Sequence, residues 1–438
     1  MLGFQAVITC KKVQRNLIIS VSYLRSLVLF ATLILLTINT ANLHAGPSLA
    51  SSKEATQHYN LYLDADLSNN KNSGEAIALG IKSALHEINY RVGKVSLNLI
   101  ELDHRGSSPR SRHNLETILK DERALAVFGG MHSPPLIAAK DWLNEKQLLT
   151  LVPWAAATPI TRSGNTDNWI FRLSVDDSKA GRVIVNDTIK DSGFRSPYLL
   201  LEDTGWGKAN EITMTKALDA LGVAPSGVRF FQWGIGLHEA RAILENAINL
   251  GADSFILVAN TPEGLRFAKA MLSLETDKQK PFRSHWGITG GDFAEQLGLS
   301  ALNSLDLRFI QTNFSFLNRE LSELAKQALA SARNVSGNKQ LHPRDIKAPT
   351  GFIHAYDLTR ILIQAITEAQ LSGETVADRK QLKNALESLV EPVSGLIKFY
   401  TRPFAPYTSR HPDAHEALDW SDFTMGYFDQ QGHIRLQH

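Results

Sequence analysis

The chain of 438 residues has a single cysteine, Cys10. Everything beyond it can form no disulfide, no cysteine-ligated zinc site and no thiol nucleophile. A large net charge is missing too: 46 basic and 44 acidic side chains leave a formal net charge of +2. No basic run interleaved with aromatics marks the body of the chain, so nothing asks for a nucleic-acid partner. Catalytic motifs are incomplete wherever they begin. There is no Gly-x-Ser-x-Gly elbow. His86-Glu87 and His238-Glu239 lack the second histidine of a zinc-protease helix. Gly205-Trp-Gly-Lys208 is too short for a phosphate-binding loop and is followed by Ala209 where Ser or Thr is required. His104, His411 and His415 make a metal site only if folding gathers them, and surface histidines are the simpler account. The expectation is a protein that is not an enzyme and carries no cofactor or metal.

What is present begins at the N-terminus. Lys11, Lys12 and Arg15 precede an apolar run that Arg25 interrupts and that resumes, uncharged, from Leu27 to Leu36. Small and polar residues follow, down to Leu43-His44-Ala45. This is the layout of a signal peptide over residues 1–45, cleaved after Ala45, which sends the protein to the periplasm. The alternative is a retained anchor, but the run after Arg25 falls short of the ~20 apolar residues of a spanning helix.

From Gln57 onward strand-like and helix-like segments alternate. His58–Leu63, Val95–Ile100, Ala124–Phe128 and Leu148–Val152 read as strands. Between them, Gly74–Asn89, Pro109–Leu119 and Ser133–Leu143 read as helices, the first with Ile77, Ile81, Ala84, Leu85 and Ile88 on one face. The rhythm restarts around Phe171-Arg172-Leu173. Strands are expected at Ser196–Leu201, Val228–Gln232, Ser254–Val258 and His285–Ile288, and helices at Ala180–Asp191, Trp206–Leu221, Leu237–Leu250 and Pro262–Leu272. Helices near Leu317–Ala332 and Gly351–Ala369 follow, then strand-like runs from Gly395 with an insertion, Arg402–Asp419, that suggests no role. Apolar strands in a strand–helix repeat indicate an α/β fold with two parallel-sheet domains covered on both faces.

Ligands of such sheets bind beyond the carboxyl ends of the strands. Five loops follow strands. Asp64–Gly74 is either a solvated loop with an N-cap at Ser73 or part of a cleft rim. Gly129-Gly-Met-His132-Ser133 opens a helix, so its backbone N–H groups and the Ser133 hydroxyl suit a carboxylate; a tight capped turn is the plain alternative. Pro153-Trp154-Ala155-Ala156 and Glu202-Asp-Thr-Gly-Trp206-Gly207 each place a tryptophan after a strand, as core or as a stacking wall. Trp286-Gly-Ile-Thr289-Gly-Gly-Asp292 is glycine-rich with two polar groups, and Asn260 follows the strand ending at Val258.

The order of these pieces resembles the substrate-binding proteins of branched-chain-amino-acid-type ABC transporters, with the type I periplasmic-binding-protein fold. The similarity runs from about Tyr59 to Leu436. It rests on Ala-Val-Phe-Gly-Gly-x-x-Ser, then Leu-Leu-Thr-Leu-Val-Pro and Ala-Thr-Pro-Ile-Thr, between Ala124 and Thr161. To these add Trp169-Ile-Phe-Arg172, Glu202-Asp-Thr-Gly-Trp-Gly207 and the helix ending in Ile88-Asn89.

The resemblance implies two doubly wound lobes joined by a three-stranded hinge, lobe one at 55–173 plus 313–392 and lobe two at 174–312 plus 393–438. It implies a small-molecule ligand held between lobes that close on it, delivery to an ABC permease in the inner membrane, and a monomer. The alternative within the fold is a sensor that signals to a membrane or partner protein without transport. The family's carboxylate-binding serine maps onto Ser133, beside His132, and the next loop onto Trp154, Ala155 and Ala156. Trp154 stands where a small residue is common and Ala156 where a threonine is usual. The second-lobe aromatic maps onto Trp206. The acid that holds an amino-acid ammonium falls at Thr289, with Asp292 three residues on and Asn260 near the same cleft. The missing acid favours an aromatic or otherwise apolar carboxylate or amide, or an amine stacked between Trp154 and Trp206, over an aliphatic amino acid.

Overall fold

The computed structural model describes residues 57–437 apart from 163, 165 and 166. The expected signal peptide and Cys10 lie outside the described residues, among which no helix is long and apolar enough to cross a membrane.

Two sheets carry the architecture. The first holds β1 (Gln57–Ala65), β2 (Arg91–Val92), β3 (Val95–Asp103), β4 (Ala124–Gly129), β5 (Thr150–Val152) and β6 (Ile170–Arg172), in the order β2-β3-β1-β4-β5-β6. The second holds β7 (Pro197–Glu202), β8 (Gly227–Phe231), β9 (Ser254–Val258), β10 (Phe282–Ser284) and β11 (Leu307–Thr312). A short ribbon of β12 (Val393–Ser394) and β13 (Phe399–Tyr400) comes next in the chain, and β14 (Phe423–Phe428) and β15 (Ile434–Leu436) then complete the second sheet, in the order β15-β14-β11-β10-β9-β7-β8.

Every residue of β4, β7 and β9 is buried, as continuous apolar runs between two helical layers require. Alternation within β7 divides the core: Leu199 and Leu201 join the larger apolar cluster, Tyr198 and Leu200 the cluster on the sheet's other face. The sheets are parallel except at their edges, where β2 runs against β3, β14 against β11 and β15 against β14. The β14–β15 turn needs Gly432 at φ +80°, and the Asp429 carboxylate accepts from the N–H groups of Gln431 and His433.

The chain leaves the first sheet after Arg172, returns after Thr312, and rejoins the second sheet at β14. The returning helix Pro349–Glu368 packs on helix Lys71–Glu87 so closely that a Cβ on Gly80 would lie 2.4 Å from the Phe352 carbonyl oxygen.

Several elements differ from expectation. The strand expected at His285–Ile288 lies earlier, as β10, and Trp286–Thr289 is a 3₁₀ turn. His285 Nδ1 accepts from the Trp286 N–H, and the Thr289 hydroxyl donates 2.7 Å to the Trp286 carbonyl, which closes that turn. The helix expected from Leu317 starts at Glu323, where Ser322 caps it through the Ala325 N–H. The helix expected at Ala180–Asp191 spans Asp177–Asn186 and continues as a π turn, Asp187–Asp191. Ser73 is no N-cap: it sits inside helix Lys71–Glu87, and its hydroxyl donates to the Asn70 carbonyl. Nor are all three unassigned histidines on the surface. His104 and His415 are buried and lie on separate elements, and among the described residues no group of three metal-ligating side chains forms.

The insertion Arg402–Asp419 braces the passage from β6 to helix Asp177–Asn186. The Arg172 N–H donates to the His415 carbonyl at 2.8 Å and the Ala417 N–H to the Arg172 carbonyl at 2.9 Å. The His415 ring stacks on Phe171 with centroids 3.9 Å apart.

Candidate functional site

The loops that follow the parallel strands of both sheets converge. From the first sheet come Asp66–Asn70, His104–Gly106, Met131–Pro134 and Pro153–Ala157; from the second come Asp203–Trp206, Trp233, Asn260–Thr261 and Trp286–Thr289. The two sets touch. His132 and Trp233 pack with ring centroids 5.6 Å apart. Gly205 lies against Ile137 and Gly290 against Met131, each so near that an added Cβ would stand 2.9 Å from the opposing side chain.

Where they meet, a narrow cavity is lined by His132, Ser133, Trp154, Ala156, Glu202, Trp206, Asn260 and Trp286, and it has room for about one water molecule. Six of the nine residues expected from sequence are in this wall. Ala155 is buried behind it. Thr289 and Asp292 line a different compartment.

Indoles fill the junction. Trp154 presses on Gly351, where a Cβ would be 2.6 Å from the ring. Trp206 donates from Nε1 to Asp177 Oδ1 at 3.2 Å and meets His285 edge-on at 5.1 Å. Trp286, which opens the glycine-rich loop singled out in the sequence, packs on His354 at 5.3 Å and on Phe423 at 5.8 Å. The expected stacking walls are thus largely packed into their own surroundings.

The polar groups are also committed. Ser133 Oγ accepts from the Ala157 N–H at 3.3 Å, which ties two first-sheet loops together. His132 Nε2 lies 3.2 Å from Asp66 Oδ2 and 3.1 Å from Asn70 Nδ2. Burial works against ionising Asp66, but hydrogen bonds from His132, Asn70 and the Asn69 N–H outweigh it and hold the carboxyl well below the usual range.

Glu202 is the residue sequence reasoning missed. It ends β7, is 1% exposed, and touches the narrow cavity. Asn260 Nδ2 donates to it at 2.9 Å and the Thr204 hydroxyl at 3.1 Å. Among the described residues it has no cationic partner. Burial pushes its pKa up to about 7, helped by the nearby Glu263 and opposed by hydrogen bonds from Trp233, Thr204 and Asn260. An acid closing an apolar strand was the available signal.

The second compartment lies beside the junction and is far larger, about 420 Å³. Its walls include Thr289, Gln311, Phe314, Phe316, Ile353 and Phe428, and Asp292 stands with Arg344 and Lys347 among its more open residues.

Residues 62–420 match the family model described as periplasmic binding protein. No curated protein matches the chain. Among solved structures, a type 1 periplasmic binding protein of Bordetella pertussis superposes with a TM-score of 0.72 at 15% identity, covering 87% of this chain and 99% of that one. An R. palustris solute-binding protein of an ABC transporter, in complex with 4-hydroxybenzoate, gives 0.70 at 16%, with 87% and 96% covered. A leucine-binding protein of Thermotoga maritima gives 0.66 at 15%, with 87% and 98% covered. At such identities these likenesses speak for the fold, while the family match spans most of the chain and agrees with the two facing sheets. The chain belongs to the periplasmic binding protein family.

Proposed function

We propose that this protein is an exported receptor that captures a small organic molecule between its two halves and hands it to an ABC permease in the inner membrane. The observation that carries this reading is the convergence of the strand-end loops of both sheets on one cleft, the place where open parallel sheets bind ligands. The halves are residues 55–173 with 313–392 and residues 174–312 with 393–438. They close by hinge motion about the three chain passages, so that a permease can distinguish loaded from empty receptor. His132, Ser133, Trp154, Ala155, Ala156, Trp206 and Asn260 form the surface on which the halves meet, and Thr289 and Asp292 open towards the wider compartment. The receptor acts as a monomer. Similar proteins were solved with 4-hydroxybenzoate and with benzoate, and another is a leucine-binding protein, which sets the scale of the cargo.

The test is thermal unfolding of the purified protein against a panel of aromatic and aliphatic acids, amides, amines and amino acids. A ligand that binds only the native state raises the melting temperature with its concentration. Saturable stabilisation by at least one class is expected. A folded protein that responds to none of them contradicts the proposal.

A further inference from the structure

Two compartments lie between the halves, and their contents differ. The junction holds three indoles and space for about one water. With the halves placed as they are here, a ligand at that point would displace Trp154, Trp206 or Trp286, residues that are 1%, 6% and 1% exposed. The neighbouring chamber of about 420 Å³ is within the range of small-molecule sites.

The chamber has a graded wall. Phe314, Phe316, Ile353 and Phe428 give it an apolar body. Its deepest polar groups, Thr289 and Gln311, are 1% and 5% exposed. They are neutral and linked, Gln311 Nε2 donating to Thr289 Oγ1 at 3.4 Å and Gln311 Oε1 accepting from Thr350 at 3.2 Å. The ionisable side chains that line the chamber, such as Asp292, Arg344 and Lys347, are all half-buried or exposed. Lys347 pairs with Glu295 there, joining the returning segment to a helix on the second-sheet side.

Resting on the receptor reading, we propose that the ligand occupies this chamber and not the tryptophan junction, and that it is a mainly apolar, aromatic molecule with an uncharged amide or hydroxyl at its buried end. A charged group beside Thr289 and Gln311 would be buried with no opposite charge, which is costly, whereas an amide or hydroxyl can exchange hydrogen bonds with both. The phenylalanine walls favour a ring. Thr289 and Phe428 come from the second-sheet side, and Phe314, Phe316 and Ile353 from the returning segment. A ligand that touches both favours the closed arrangement.

The experiment is calorimetric titration of the full chain with benzamide, 3-phenylpropanamide and 5-phenylpentanamide, the three matching carboxylates, and leucine. Each amide should bind at least tenfold tighter than its carboxylate, and affinity should rise about fourfold per methylene until the chamber is full. Leu317→Trp, which fills the chamber from its wall, should weaken amide binding at least tenfold without lowering the melting temperature of the free protein. If that variant does not fold, Ser315→Trp fills the same space from the adjoining position. Tight binding of leucine or of the carboxylates that Leu317→Trp leaves intact and Trp206→Ala removes would overturn the chamber and keep the receptor. Failure of the folded protein to bind any member would overturn both.

Discussion

Arg172 and Glu416 stand 244 residues apart in the chain and meet at 3.1 Å with neither side chain exposed. Arg172 ends the first sheet, and Asp176, which caps helix Asp177–Asn186 beyond it, pairs with the same guanidinium. Arg162 reaches Glu416 at 2.8 Å and Lys179 at 3.1 Å. Burial opposes the charge on Glu416, but these three cations outweigh it and hold the carboxyl far below its usual range. The passage from β6 to helix Asp177–Asn186 is therefore fixed by a buried ionic network whose key acid belongs to the insertion Arg402–Asp419.

Removing that acid should cost more than a surface charge would. Glu416→Ala leaves Arg172 buried with Asp176 as its only acidic partner, and breaking a buried pair costs about 3–5 kcal/mol. Urea unfolding should show a loss of that order, and an unchanged midpoint would contradict the network's role.

In the proposed closure, the contacts at Gly205 and Gly290 limit how far the halves approach. Gly205→Val places branched carbon where Ile137 already comes within 2.9 Å of an added Cβ. The flexible end of Ile137 can move aside in an open form, so stability should change by less than about 1 kcal/mol. Ligand affinity should fall about tenfold or more, because closure is what the substitution obstructs. Loss of stability with unchanged affinity would contradict this.

Glu202 makes a prediction about pH. Its folded pKa of about 7 lies above the ordinary 4.5, so between those values the native state holds a proton that the unfolded chain has released. Its contribution is complete below about pH 4.5 and is lost as pH rises through 7. Glu202→Gln should therefore stabilise the protein at pH 8 by roughly 3 kcal/mol relative to the parent, with the difference disappearing towards pH 4.5. Melting curves across that range decide it; a gap that widens towards acid would have the wrong sign.

Much of the fold was legible because its central strands are buried on both faces. Ala124–Gly129, Pro197–Glu202 and Ser254–Val258 are nearly unbroken apolar runs, and helix Lys71–Glu87 keeps one apolar face. β11 escaped notice because Arg308 and Gln311 interrupt it. Their partners, Asp187 and Thr350, lie far away in sequence. Helix Thr375–Glu387 was missed for a similar reason: it buries Asp378 and Arg379 beside only Leu382 and Leu386 among its apolar residues. At the cleft, the positions of Trp154 and Trp206 followed from the strands they succeed. That they pack against Gly351 and Asp177 depends on helices from elsewhere in the chain. The same holds for Glu202, buried by Asn260 and Trp233, and for the separation of Thr289 and Asp292 from the other expected residues.

Small-angle X-ray scattering, with and without a saturating ligand from the thermal panel, tests closure most directly. Hinge closure predicts a smaller radius of gyration on binding and a liganded curve that matches the structure described here, with Gly205→Val remaining extended at the same ligand concentration. A ligand that binds tightly and leaves the scattering of the parent protein unchanged would contradict capture by hinge closure.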